Sequence, residues 1–203
     1  MIKTIIFDFD GVIHNTFDFH MSRIERFSGE KLSKEEYKNA HDGNFHDSKT
    51  NTVLNKDWLL YAESVFHEMS NLKIDNKIFL ELLKLKDVYS LFIISSGAEK
   101  NISGFLENNN ALHLFKAVLG LEFHKSKQEK FKQILKKYNL KKNECVFVTD
   151  TLGDILEANK IGIKTIAVDF GFHDRQRLLK GKPLKIISNF NEILPTINNI
   201  THV

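Results

Sequence analysis

Two carboxylates, Asp8 and Asp10, stand two residues apart where the apolar run Thr4-Ile5-Ile6-Phe7 gives out, directly before Gly11. Side chains two apart on a strand point the same way. Both acids therefore face one crevice, where they repel unless a cation, a proton or a ligand lies between them. Gly11 lets the backbone turn sharply beside them. A second apolar run, Cys145-Val146-Phe147-Val148-Thr149, ends in Asp150, with Asp154 four residues further on. Either feature alone fits ordinary turn chemistry, because Asp bonds nearby backbone N–H groups. Two acid-tipped strands together suit Mg²⁺, which takes a few carboxylate and carbonyl oxygens and keeps water in the rest of its shell.

A third strand, Ser90-Leu91-Phe92-Ile93-Ile94, runs into Ser95-Ser96-Gly97, and a helix follows. Hydroxyls and backbone N–H groups at such a turn can hold an anion; the alternative for Ser95 is a plain helix cap. The fourth element is a lysine. In Lys127–Tyr138 the residues Phe131, Ile134, Leu135 and Tyr138 share one helical face, and most of the lysines fall elsewhere as solvated charges. Ser126 with Glu129 forms a capping-box pattern that puts Lys127 in the first turn. The helix dipole does not favour a cation there. That misfit points to a task for Lys127, with Lys125 as the competing candidate.

These residues, Asp8-Phe9-Asp10-Gly11-Val12, Ser95, Lys127 or Lys125, and Asp150 with Asp154, resemble the four ordered motifs of the haloacid dehalogenase superfamily. The resemblance is to its phosphatase branch, similar to phosphoglycolate phosphatase and β-phosphoglucomutase, and it runs from residue 1 to about Val168 outside the stretch 16–76. The chain departs from the pattern at Thr149, where glycine is usual, at Asn15, where an aspartate commonly stands, and in having no proline after the lysine. The resemblance implies that Asp8 attacks phosphorus to form an aspartyl-phosphate and that Asp10 works as acid and then base. It implies Mg²⁺ bound by Asp8, the Asp10 carbonyl and Asp150. Lys127 and Ser95 would hold the transferring oxygens with help from the N–H groups of Ser96 and Gly97, and Asp154 would orient Lys127 or metal-bound water. The expected substrate is a small phosphorylated metabolite. A sugar-phosphate mutase would share every motif. Dehalogenation needs neither the second acid nor a metal, and a receiver-like phospho-switch needs no insert after the first strand.

The alternation of strands and helices that must position these groups predicts an α/β fold, a doubly wound, Rossmann-like parallel sheet. Strands are expected at Thr4–Phe9, Leu91–Ser95, Ala117–Leu119, Val146–Thr149 and Thr165–Val168, with Lys185–Ile187 as a sixth. Helices are expected around Lys77–Leu85, Lys100–Glu107, Lys127–Tyr138, Asp154–Lys160 and Asn191–Ile197. Residues 16–76 break the alternation. Phe17–Phe27 and Trp58–Met69 carry apolar residues at helical spacing without an intervening strand, and the insert resembles a small α-helical cap domain. The core then comprises 1–15 and 77–203, and the cap 16–76. The polar stretch Asn39–Ser48, with Gly43 inside it, is either an exposed helix–helix loop or a substrate-recognition loop. His20, His67 and His113 carry no ligand-like spacing and read as surface or core residues.

Composition narrows the class. A net charge of +3 is spread over several helix faces with no arginine-rich tract, which argues against nucleic acid as a partner. No apolar run is long enough to span a membrane, and no signal-peptide pattern opens the chain, so a cytoplasmic location is expected. Cys145, the single cysteine, lies inside a strand and reads as a small buried hydrophobe.

Overall fold

The computed structural model describes residues 1–47 and 58–200. Ser48, the last residue of the polar stretch singled out above, lies outside them. Six strands, β1 (Thr4–Phe7), β2 (Ser90–Ile94), β3 (Phe115–Leu119), β4 (Cys145–Thr149), β5 (Lys164–Val168) and β6 (Lys185–Ile187), form one sheet. All are parallel, in the order β3-β2-β1-β4-β5-β6. The chain winds one way from β1 to β3 and the other way from β4 to β6, so the order reverses between β1 and β4. A crevice opens there, beyond the carboxyl ends of the strands. β1 is shorter than expected: the ladder stops at Phe7, and only the Asp8 N–H, bonded to Val148 O at 2.9 Å, still ties the acids to β4.

The strands are apolar on both faces because both are covered. On one face Ile5, Phe7, Val146 and Val148 pack against helices α4 (Asn76–Val88), α5 (Glu99–Asn108) and α9 (Ile193–Ile200) through Leu82, Leu85, Phe105 and Ile197. Phe7 stacks on Phe190 with ring centroids 5.9 Å apart. On the other face Ile6, Phe92 and Phe147 meet α6 (Lys127–Lys137) and α7 (Leu152–Ile161) through Phe131, Ile134 and Ala158. Among the described residues no helix is long and apolar enough to cross a membrane.

The insert contributes α1 (Phe17–Ser28), α2 (Lys34–Asn39) and α3 (Trp58–Ser70), of which α2 is absent from the expected set, as is the short α8 (Arg175–Leu179). Its helices do not stand apart from the sheet domain. Asn101 and Asn108 on α5 donate side-chain hydrogen bonds to Ala62 O at 2.8 Å and Ser70 O at 3.1 Å on α3. Phe172, from the loop after β5, joins Ile24, Tyr37, Tyr61 and Val65 in the insert's own apolar cluster. His173 accepts from Leu152 N at 3.0 Å and gives its other ring N–H to Lys38 O at 2.9 Å, linking the start of α7 to the end of α2.

The stretch after α2 is not an exposed loop, the first of the two readings the sequence allowed. His41 O accepts from Gly153 N at 2.9 Å, His46 Nε2 lies 3.1 Å from Ser96 O, and Asn44 reaches Glu157 at 3.3 Å. It lies against the first turn of α7, where only glycine fits. A Cβ on Gly153 would stand 2.0 Å from Gly43 O and 2.8 Å from His41 O. Those are backbone atoms that cannot swing aside. Gly153→Ala is therefore expected to lower the free energy of unfolding by about 1–3 kcal/mol, seen as a lower midpoint in urea. An unchanged midpoint would show that the loop does not rest on this turn.

Candidate active site

Each acid is placed by a different local device. Asp8 Oδ1 accepts from Phe9 N at 2.8 Å, which leaves Oδ2 facing Lys127 Nζ at 2.7 Å. Asp10 Oδ1 accepts from Thr16 Oγ1 at 2.6 Å and lies 3.3 Å from His20 Nε2, while Oδ2 takes the Ser95 hydroxyl at 3.3 Å. Asp150 Oδ2 accepts from Phe172 N at 2.6 Å, and its Oδ1 is buried without a hydrogen-bond partner among the described residues. Gly11, with φ of +73°, brings the turn after β1 so near that a Cβ there would fall 1.9 Å from Asp150 Oδ2. Asp154 Oδ2 receives Lys127 Nζ at 2.5 Å and Thr149 Oγ1 at 2.7 Å. The departure at Thr149 is thereby explained: its hydroxyl fixes Asp154.

Of the two lysines, the structure brings Lys127 to the acids. Ser126 caps α6 by accepting from Gln128 N at 3.2 Å, and the buried Lys127 follows in the first turn. The capping box itself is incomplete, because the Ser126 N–H donates to His124 Nδ1 instead of to Glu129. Lys125 is exposed and touches the site only through its carbonyl, 3.4 Å from Asn44 Nδ2. Gly97 N–H is already given to Ser95 Oγ at 2.9 Å. The N-terminus of α5 is likewise filled, since Glu122 accepts from Glu99 N at 2.7 Å and from Lys100 N at 3.4 Å. Ser96 lines the site cavity beside them.

The electrostatics are those of a site short of positive charge. Burial pushes Asp8 well above the usual carboxylate range; Lys127 opposes this, and Asp154 and Asp150 add to it. Burial likewise raises Asp150 to about 8. Burial would raise Asp154 too, but the Lys127 ammonium and the Asp8 and Thr149 hydrogen bonds outweigh it and hold the group at about 2. Lys127 itself loses to burial and gains more from Asp154 and Asp8, so it stays protonated. One ammonium stands among Asp8, Asp150 and Asp154, so ionising all three carboxyls calls for further positive charge.

The residues present fit a divalent cation. The partnerless Asp150 Oδ1 and the raised carboxyls of Asp8 and Asp150 mark where positive charge is missing. No group of three or more His, Cys, Asp or Glu side chains placed to hold a metal occurs among the described residues. The donor set is thus two carboxylates, with the Asp10 carbonyl as the third candidate. That suits Mg²⁺, which keeps several waters.

Several residues in or under the site escape the sequence reading. His20 is no ordinary histidine: it bridges Asp10 and the Tyr61 hydroxyl, 2.8 Å from its Nδ1. Its register with Phe17 and Ile24 on the buried face of α1 was the available signal. Lys130, read with the solvated lysines, is buried and donates from Nζ to Ser95 O. The site cavity has two chambers. The smaller, about 30 Å³, is lined by Asp8, Asp10, Lys127, Asp150 and Asp154. The larger, about 70 Å³, shares Asp10, His41, Phe45, Ser96 and Phe172 with it and extends into the insert.

Residues 5–168 match the family model described as haloacid dehalogenase-like hydrolase. The chain belongs to that family. The chain is 26% identical over 110 residues to phosphoglycolate phosphatase of Synechococcus elongatus, covering 54% of the chain and 52% of that protein. The match thus spans about half the relative's length. It is 22% identical to pyrophosphatase PpaX of Bacillus mycoides with 98% of each covered. In fold it is similar to a predicted phosphatase from Clostridium acetobutylicum, with a TM-score of 0.82, 18% identity and 98% and 99% of the two chains covered.

Lys130 offers a check on the buried side of the site. Burial, and then the neighbouring Lys127, pull its ammonium down to about 7. An unfolded lysine titrates at about 10.4, so between these values the unfolded chain binds the proton more tightly than the folded one. Lys130 therefore adds stability as pH rises from about 7 to 10 and nothing further below 7. Urea unfolding of wild type and Lys130→Met across this range is expected to show a stability difference that grows in favour of wild type with pH. A constant difference would mean that Lys130 is solvated.

Proposed function

We propose that this chain is a Mg²⁺-dependent phosphomonoester phosphatase acting on a small phosphorylated metabolite through an aspartyl-phosphate on Asp8. The observation that carries the reading is the division of the acids. Asp8 sits with Lys127 and Asp150 inside the small chamber, while Asp10 stands on the wall shared with the larger one, where a leaving group would lie. The name of the Synechococcus relative supports the same class.

In this reading Lys127 and Ser95 hold the non-bridging oxygens of the phosphate. An Asp8 carboxylate oxygen forms the new bond to phosphorus as the bond to the leaving oxygen breaks, and Asp10 gives its proton to that oxygen. Asp10 then takes a proton from water as the water oxygen attacks phosphorus, and the bond to Asp8 breaks. Burial raises the Asp10 carboxyl, but hydrogen bonds from His20 and Thr16 outweigh it and hold the group ionised. A dianionic phosphate beside it raises its proton affinity, so substrate arrival itself arms the acid. Asp8, the Asp10 carbonyl and Asp150 would hold the cation, which when bound offsets repulsion between the nucleophile and the phosphate. Asp154 and Thr149 keep Lys127 in place, and the insert closes the site as a cap.

Turnover of a phosphomonoester panel with Mg²⁺ tests the reading. Activity is expected to vanish with a chelator and in Asp8→Asn, since an amide cannot form the acyl-phosphate. Full activity in the variant, in protein free of contaminating phosphatase, would overturn the role of Asp8. For the lysines, Lys127→Ala is expected to lower kcat/KM on the order of 10²-fold or more and Lys125→Ala by far less. The reverse order would reassign the phosphate clamp.

A further inference from the structure

We infer that the leaving group this hydrolase accepts is a small uncharged alcohol of apolar or aromatic character, and that phosphoesters bearing a carboxylate or a second phosphate are disfavoured. The inference rests on the phosphatase reading above, because it identifies the larger chamber as the leaving-group side of Asp10.

That chamber is an aromatic box. Tyr37, Phe45, Trp58, Tyr61, Met69 and Phe172 line it. Two pairs of these rings meet edge to face: Trp58 with Tyr61 at 5.6 Å and 86°, and Phe45 with Trp58 at 5.1 Å and 63°. Aromatic walls of this kind stabilise a flat apolar guest through area and ring geometry. No lysine or arginine is among the described lining residues. Of the two imidazoles, His20 has both ring nitrogens engaged, on Tyr61 and Asp10, and His41, with Nδ1 on Tyr37 O, is held by burial at about 4 and is neutral near pH 7.

Among the described lining residues an anionic leaving group would thus meet the Asp10 carboxylate and no lysine or arginine. It would give up its water without gaining a partner, which is costly. Phosphoglycolate, the substrate named for the Synechococcus relative, carries such a carboxylate.

The chain has a single tryptophan, and Trp58 lines this chamber, so its emission reports occupancy. Wild-type protein with Mg²⁺ would be titrated with 2-phenylethylphosphonate and with 3-phosphonopropionate, the methylene isosteres of benzyl phosphate and phosphoglycolate. Affinity would be read by calorimetry and Trp58 fluorescence together, and turnover of the two parent esters measured in parallel. The expected result is at least tenfold tighter binding of the phenyl compound with a change in Trp58 emission, and at least tenfold higher kcat/KM for benzyl phosphate. Turnover of both esters with phosphoglycolate equal or preferred would overturn the substrate class and leave the phosphatase reading standing. Binding preference without turnover of any phosphomonoester would overturn the phosphatase reading, and this assignment with it.

Discussion

One buried ammonium holds the working end of the sheet together. Lys127 is 2% exposed and lies 2.7 Å from Asp8 and 2.5 Å from Asp154. Buried charges persist only when paired and hydrogen-bonded, and removing one partner leaves the other stranded at a cost of several kcal/mol. Lys127 reaches from α6, Asp8 from the end of β1, and Asp154 from the first turn of α7. Three segments far apart in sequence thus converge on a single cation. By contrast, exposed pairs such as Lys34 with Asp18 contribute about 1 kcal/mol at most. Asp8 and Asp150 are left with raised carboxyls, which marks where positive charge is short.

The insert depends on the sheet domain for its own burial. Its apolar cluster is completed by Phe172, and α3 lies along α5, where a Cβ on Gly104 would come within 2.7 Å of Ser70 Oγ. The polar stretch after α2 gains its shape by resting on Gly153 and by handing its backbone groups to α7. Insert and sheet domain therefore share the walls of the cavity. Asp8, Asp10, Asp150 and Asp154 line one end, and residues from α1, α2 and α3 line the other.

The parallel sheet was legible because each strand is an apolar run that stops at a polar signal, and Asp8, Asp150 and Ser95 stand at those stops. Lys127 was legible through its cap, although the structure satisfies that cap with His124 in place of Glu129. What sequence could not display was long-range pairing. His20 acquires its meaning only from Tyr61 and Asp10, and Lys130 only from the Ser95 carbonyl. The stretch His41–His46 looks like a loop because it is polar, yet its polar groups are used on α7 and Ser96. Polarity alone does not separate solvated from docked.

Asp8 and Asp10 show how two identical side chains two residues apart come to differ. Asp8 has left the sheet ladder but remains under it, next to two other buried acids, and its carboxyl resists ionisation. Asp10 lies beyond the turn, where donors from the insert, Thr16 and His20, and the Ser95 hydroxyl gather on it and favour the anion. Environments that push paired acids apart are the usual means of giving them separate tasks. Here the separation is built from both parts of the fold at once. The sheet buries the first acid, and the insert ionises the second. The ionisation of Asp10 thus depends on donors carried by α1 and the residue before it, whereas that of Asp8 depends on the sheet and the acids beside it.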